Sequence, residues 1–416
     1  MEEVEWWVGF DWASQKHWVC LLAGDGRVVA EREVTHGGAG LTELCDWLVE
    51  WTGAAPAKIA VAIETPRGPV VETLLERGFP VYAINPKQLD RFRDRFSVAG
   101  AKDDSRDARV LGASLRTDGH AFRRLAIGDP LIIELREWSR MREDLQQERT
   151  RLTNRMREQL WRYFPQMLQL SDDLGAEWFL ALWHKVPTPA TAAKLRKSAI
   201  DSLLQTHRIR RLAGEEVLRI LRQKPLTVAP GATEAACAHI RTVAARLRLI
   251  NAQLRNAHHY LDELSDRLGQ AKESEPGQTY EQRDVEILRS LPGLGRIILA
   301  TLLAEAWEPL QRRDYHALRS LCGVAPVTKR SGKACFVIRR LACDKRLAQA
   351  LYHWARLATQ LDPICRRRYA ELRQRGHSHG RALRTVGDRL LAVACAMLQN
   401  QSVFDPTHSA KGALAA

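Results

Sequence analysis

Between Ile240 and Leu268, apolar residues recur at alternating steps of three and four: Ile240, Val243, Leu247, Ile250, Leu254, Ala257, Leu261, Leu264 and Leu268. That is four heptads of one continuous stripe, which demands a long helix whose seam another helix must cover. A second stripe, Trp138, Met141, Leu145, Leu152, Met156, Leu160 and Tyr163, opens after Asp129-Pro130 and stops at Pro165. The two helices are expected to pair antiparallel as an arm or to pair with another subunit. Shorter helices between them are broken at Pro187, Pro189, Pro225 and Pro230, and Gly269 to Gln278 reads as a linker.

The first 117 residues read differently. Short apolar runs at Trp6–Asp11, His17–Leu22, Ile59–Ile63 and Val81–Ile84 have strand length, and Arg27–Val34 alternates polar and apolar. Helical spacing appears at Leu41–Leu48, Val71–Leu75, Gln88–Phe96 and Ser105–Leu115. The order β-β-β-α-β-α-β-α implies an α/β domain with a mixed sheet.

Carboxylates sit at the ends of these elements. Asp11 ends the first strand, Glu64 follows the fourth, and Asp104 and Asp107 share one face where a helix begins. Brought to one point, four hard oxygen donors suit Mg²⁺, with Mn²⁺ as an alternative. Two such ions about 4 Å apart can activate one oxygen and stabilise another during phosphodiester cleavage. Strand-Asp, hairpin sheet, strand-Glu, helix-Asp is the order of an RNase H-like nuclease. Asp104 and Asp107 also suit a helix N-terminus on dipole grounds alone. Lys102, Arg106 and Arg109 alongside fit a site approached by phosphate.

The charge supports a polyanionic partner. The chain of 416 residues carries a formal net charge of +14. Residues 1–125 contribute −3, residues 126–290 contribute +4, and residues 291–416 contribute +13. Such a basic block attracts nucleic acid. No apolar run reaches the roughly 20 residues of a membrane helix. The N-terminus lacks a signal-peptide pattern, so a cytoplasmic, nucleoid-associated protein is expected. The eight cysteines form no C-x-x-C pair, so they read as reduced, mostly buried residues.

Two motifs stand in the basic block. Leu291-Pro292-Gly293-Leu294-Gly295 precedes an apolar helix; Gly293 and Gly295 allow a tight turn and backbone N–H groups open to phosphate. A plain helix–helix turn explains the same five residues. Gly323-Val324-Ala325-Pro326 leads to Ser331-Gly332, flanked by Lys329, Arg330 and Lys333, with Arg339 and Arg340 beyond. A serine hydroxyl is a weak nucleophile until it is assisted, and cations there can hold a scissile phosphate. Most Ser-Gly pairs are simply turns.

Taken together the motifs resemble the IS-one-ten family of insertion-sequence transposases. Gly9-Phe10-Asp11, Ile63-Glu64-Thr65, Ile84-Asn85-Pro86 and Lys102 to Ala108 look like its RuvC-like DEDD domain, with Asp104 and Asp107 rather than Asp103 as the last two acids. Leu291 to Gly295, Gly323 to Pro326 and Ser331-Gly332 look like its C-terminal transposase domain. The resemblance implies a recombinase in which Ser331 attacks DNA and holds it as a phosphoserine, while the DEDD carboxylates bind Mg²⁺. It also implies a structured bridge RNA pairing with target and donor DNA, and dimers assembling into tetramers with a composite site. The segment Arg339 to Arg346 departs from the family pattern, with Ala342, Cys343 and Asp344 where glycines are common.

The expected organisation is an α/β RNase H/RuvC-like domain at 1–125, a helical coiled-coil region at 126–285, a mostly α transposase domain at 286–402 and a tail at 403–416. Two other functions fit the same residues. In a RuvC-like junction resolvase, metal-activated water cuts and Ser331 is structural. A non-enzymatic helical protein with a basic tail would only bridge nucleic acids.

Overall fold

The computed structural model describes residues 4–96, 103–125, 129–269, 280–332 and 334–405. The chain divides into two compact units, Met1–Asp129 and Pro130–Ala416.

The first unit runs β1 (Trp6–Asp11), β2 (Lys16–Leu22), β3 (Val28–Thr35), α1 (Gly38–Thr52), β4 (Ile59–Ile63), α2 (Pro69–Glu76), β5 (Val81–Ala83), α3 (Pro86–Phe96), α4 (Asp104–Asp118) and β6 (Arg123–Arg124). The strands form one mixed sheet in the order β3-β2-β1-β4-β5-β6. β1, β4 and β5 are parallel, and β2, β3 and β6 run antiparallel to their neighbours. The two-residue β6 has no sequence signal, since Arg123-Arg124 is neither apolar nor alternating.

β4 is buried along its whole length, which is why it reads as an unbroken apolar run. Its large residues Ile59, Val61 and Ile63 pack with Val8, Phe10 and the apolar stripes of α1 and α2. Its small residues Ala60 and Ala62 face the other way, into a cluster with Leu89, Val110, Leu111 and Leu115. On that face α4 presses its backbone onto β1. A Cβ on Gly9 would lie 1.7 Å from the carbonyl oxygen of Ala108, and one on Gly112 would lie 2.9 Å from the Gly9 nitrogen. Two glycines therefore set how closely the first turn of α4 approaches the end of β1.

The second unit opens with α5 (Pro130–Tyr163), continues through α6 (Glu177–Lys185), α7 (Pro189–Lys194), α8 (Lys197–Thr206) and α9 (Gly214–Leu221), and returns along α10 (Ala232–Gly269). α5 and α10 pair antiparallel: Trp138 stacks on Tyr260 at 4.3 Å, Arg142 donates to His258 and Arg149 to Asn251. The heptad positions Ile240, Val243, Leu247, Ile250, Leu254, Ala257, Leu261 and Leu264 are all buried, as their stripe required. α6 to α9 pack around the far end of this hairpin, where Trp183 donates to the Tyr163 hydroxyl and that hydroxyl donates to the Pro187 carbonyl.

At the near end lie α11 (Tyr280–Ser290), α12 (Arg296–Gln311), α13 (Tyr315–Leu321), the hairpin β7 (Val327–Ser331) and β8 (Ala334–Ile338), α14 (Lys345–Leu361), α15 (Pro363–Gln374) and α16 (His379–Asn400). They share a core with Leu135, Leu261 and Leu264. Glu305 on α12, half-buried, accepts two hydrogen bonds from Arg140 of α5, each 3.1 Å, and lies 3.4 Å from Arg346 of α14. Arg346 also donates to Ser139. This ionic knot ties three helices together. All eight cysteines are free, and five are buried. Among the described residues no helix is long and apolar enough to cross a membrane.

Candidate nucleic-acid cleavage sites

In the first unit, parallel pairing of β1 with β4 sets Phe10 opposite Ile63, so Asp11 and Glu64 leave the sheet side by side at the same end. α4 brings Asp104 and Asp107 in its first turn, with Asp103 just before it in extended backbone. Asp103 caps no N–H with its side chain, and its carbonyl accepts from the Asp107 N–H. Asp107 is 6% exposed.

The carboxylates feel one another. Burial first, then the charges of Asp107, Asp104 and Glu64, raise the pKa of Asp11 to about 6, while Arg93 opposes the shift. A carboxyl with three like neighbours is short of positive charge, and a bound cation would reverse the sign of that deficit. The donors are all hard oxygens, which fits Mg²⁺ or Mn²⁺. Among the described residues, however, no three acidic, His or Cys side chains are drawn together closely enough to hold an ion as they stand. Arg93 of α3 lies against two of these acids instead. Its Nε and Nη2 donate to the two oxygens of Asp107, both at 2.8 Å, and Nη2 lies 3.9 Å from Glu64. The sequence offered no sign of this contact, because Arg93 and Asp107 are joined only by the packing of α3 on α4. Lys102 lies outside the described residues.

In the second unit, Ser331 is the last residue of β7, paired with Ala334 across a turn in which Gly332 adopts φ +55°. The expected turn is thus a β-hairpin whose strand ends on the serine. Among the described residues Ser331 Oγ has no hydrogen-bond partner, and it is exposed. Alternation along the strands puts Lys329 and, across from it, Phe336 on the face of Ser331, with Arg330 on the opposite face. Phe336 is 63% exposed. Lys333 lies outside the described residues.

Arg340 donates to the Ala325 carbonyl at 3.3 Å, which anchors the chain just after β8. Arg339 belongs to a crowd of cations: burial, then Arg339 and Arg381, push the pKa of Arg384 below its ordinary value. The glycine turn before α12 has a packing role at Gly293. Gly293, at φ +77°, lies where a Cβ would meet the backbone nitrogen of Ala358 at 2.6 Å, and Trp354 donates to the Pro292 carbonyl. Gly295 precedes α12 with open space around it. In the segment Arg339 to Arg346, Asp344 caps α14 by accepting from the Leu347 N–H, and Cys343 packs on Gly323.

A mixed sheet with acids at the ends of β1, β4 and α4, followed by a basic helical unit, is the architecture of a DEDD-type transposase. A DEDD transposase domain matches residues 8–165, and the transposase domain of the IS116/IS110/IS902 family matches residues 285–370. The chain is 34% identical over 408 residues to the Streptomyces coelicolor protein named as the mini-circle transposase for IS117, covering 95% of this chain and 94% of that one. It is 63% identical over 206 residues to the Sinorhizobium fredii protein named as transposase y4uE, which is 49% of this chain and 57% of that one. An uncharacterized 44.8 kDa protein of insertion element IS116 from Streptomyces clavuligerus is 26% identical over 413 residues, 96% of each chain. The chain belongs to the IS116/IS110/IS902 family of insertion-sequence transposases.

Proposed function

We propose that this transposase cuts and rejoins DNA through Ser331, assisted by a divalent-cation site at Asp11, Glu64, Asp104 and Asp107. The reading rests chiefly on the gathering of four acids at one end of a mixed sheet, felt as the raised pKa of Asp11. When bound there, Mg²⁺ or Mn²⁺ supplies Lewis-acid stabilisation of charge on phosphoryl oxygens.

The residues themselves do the rest. Ser331 Oγ gives up its proton and bonds to phosphorus as the phosphorus–oxygen bond to the departing strand breaks, and the departing oxygen takes up a proton in exchange. Rejoining reverses the step when a new strand end displaces the serine. Exposure at a strand end leaves Oγ approachable in line, and Lys329 beside it offers charge to the phosphate. Phe336 offers a π-face to an unstacked base next to the cut. Arg330, Lys333, Arg339 and Arg340 hold flanking phosphates, and Gly295 leaves the start of α12 open to the backbone. Gly293 shapes the same phosphate-binding turn and lets it seat on α14. The partners are donor and target DNA and a structured bridge RNA, within a dimer that assembles to a tetramer. The domain limits taken from the sequence, at 125, 285 and 402, belong to the same proposal.

The test is covalent. Wild-type protein incubated with its element ends and a divalent cation should give a protein–DNA adduct stable to denaturation, and Ser331→Ala should give none. An adduct that persists in Ser331→Ala removes Ser331 from the mechanism. Free ends without any adduct in the wild type would assign cleavage to water at the carboxylate site.

A further inference from the structure

We infer that Arg93 is a built-in counter-ion that keeps the carboxylate site closed to divalent cations until it is drawn aside. The inference rests on the reading of Asp11, Glu64, Asp104 and Asp107 as a cation site. Arg93 commits its guanidinium fork to both oxygens of Asp107, the most buried of the four acids, and lies 3.9 Å from Glu64. An arginine in a protein does not give up its proton, so this charge leaves only by movement. A dication bound by Asp107 and Glu64 would sit within a few ångströms of a fixed positive charge in a partly buried site, where repulsion is screened weakly. Cation and guanidinium therefore compete for the same oxygens.

The structure also holds a resting place for the displaced side chain. Asp90, one turn earlier on α3, already accepts a hydrogen bond from Nη1 of Arg93, and its side chain is 67% exposed. Rotation towards Asp90 keeps that ion pair while freeing Asp107, whose lost partner the incoming cation would replace. In the open position the guanidinium stands at the rim of the site, where a DNA phosphate can take it. Arg93 is thus a positioning residue that couples arrival of the substrate's phosphate to metal loading. Two sites biased by one element in this way must help each other reciprocally.

The experiment is titration of the metal-free full-length protein with Mn²⁺, without DNA, by calorimetry and Mn²⁺ paramagnetic resonance. Arg93→Gln should bind Mn²⁺ about tenfold tighter or more, because one positive charge leaves the site. Arg93→Lys keeps the charge and should stay close to the wild type. Unchanged or weaker binding in Arg93→Gln, with helix content retained by circular dichroism, overturns the gate and makes Arg93 a strut between α3 and α4. Equal tightening in Arg93→Lys also overturns it, since bulk rather than charge would then be responsible. Mn²⁺ binding to Arg93→Gln that survives Asp11→Asn and Glu64→Gln together overturns the underlying assignment of the cation site. Binding by the wild type without tightening in Arg93→Gln leaves that assignment standing and defeats the gate alone.

Discussion

Gly9→Ala should break the carboxylate site without touching a carboxylate. The new Cβ would lie 1.7 Å from the Ala108 carbonyl oxygen and 2.6 Å from the Gly112 nitrogen, both backbone atoms. Carbon and oxygen normally approach to about 3.3 Å, so α4 must retreat by about 1.5 Å at its first turns. No side chain can absorb the overlap by changing rotamer. The cost belongs at the upper end of overpacking, about 3 kcal/mol. For a unit of this size that lowers Tm by about 10 °C. The retreat also carries Asp104 and Asp107 away from Asp11, so the pKa of Asp11 should fall back towards its ordinary value. Differential scanning calorimetry and a carboxyl-resolved NMR titration read the two effects separately. Gly38→Ala is the control: nothing lies within 4 Å of its Cβ and it begins α1, so its Tm should hold or rise slightly. A Gly9→Ala protein with wild-type Tm and an unmoved Asp11 titration would refute the claim that glycine backbone contact sets the spacing of the acids.

Two other perturbations follow from charges that the fold has partly buried. The pKa of Asp11 rises from 3.8 to about 6 on folding, so the folded state of the metal-free protein binds this proton more tightly than the unfolded chain. That contribution is fully present below about pH 3.8 and is lost as pH rises through about 6, a swing of about 1–2 kcal/mol for a half-exposed carboxyl. Asp11→Asn should flatten this part of the stability–pH curve in urea unfolding, and an identical slope in the variant would refute the assignment. Glu305→Ala leaves Arg140 with Glu137 and Arg346 with Glu143 but removes the acid they share, and should cost about 1.5–3 kcal/mol of stability in the second unit. Guanidinium unfolding followed by tryptophan fluorescence measures it; a loss below about 1 kcal/mol would mean that the knot is not buried in solution.

What could be read in the chain beforehand divides along a physical line. Periodicity is local, and it placed the long helices well: Pro130 and Tyr163 bound α5, and the heptad stripe from Ile240 to Leu264 is buried on α10. Strand ends were equally legible where an apolar run met a carboxylate, as at Asp11 and Glu64. Elements made by tertiary pairing were not. β6 is two arginines that become a strand only because β5 offers an edge, and β7–β8 has exposed residues on both strands, so no burial pattern betrays it. The same division explains the sites. The acids could be named because each sits at a recognisable element boundary. Arg93 could not, because it lies one turn from Asp90 in sequence and 14 residues from Asp107, and only the seating of α3 on α4 decides that it spans both. Gly293 shows the converse ambiguity. Two glycines before a helix suggest open amides, yet the positive φ and the backbone of Ala358 show that this glycine is needed for close packing. A motif written in small residues is ambiguous until the neighbouring backbone is known, because the absent Cβ serves a ligand and a helix equally well.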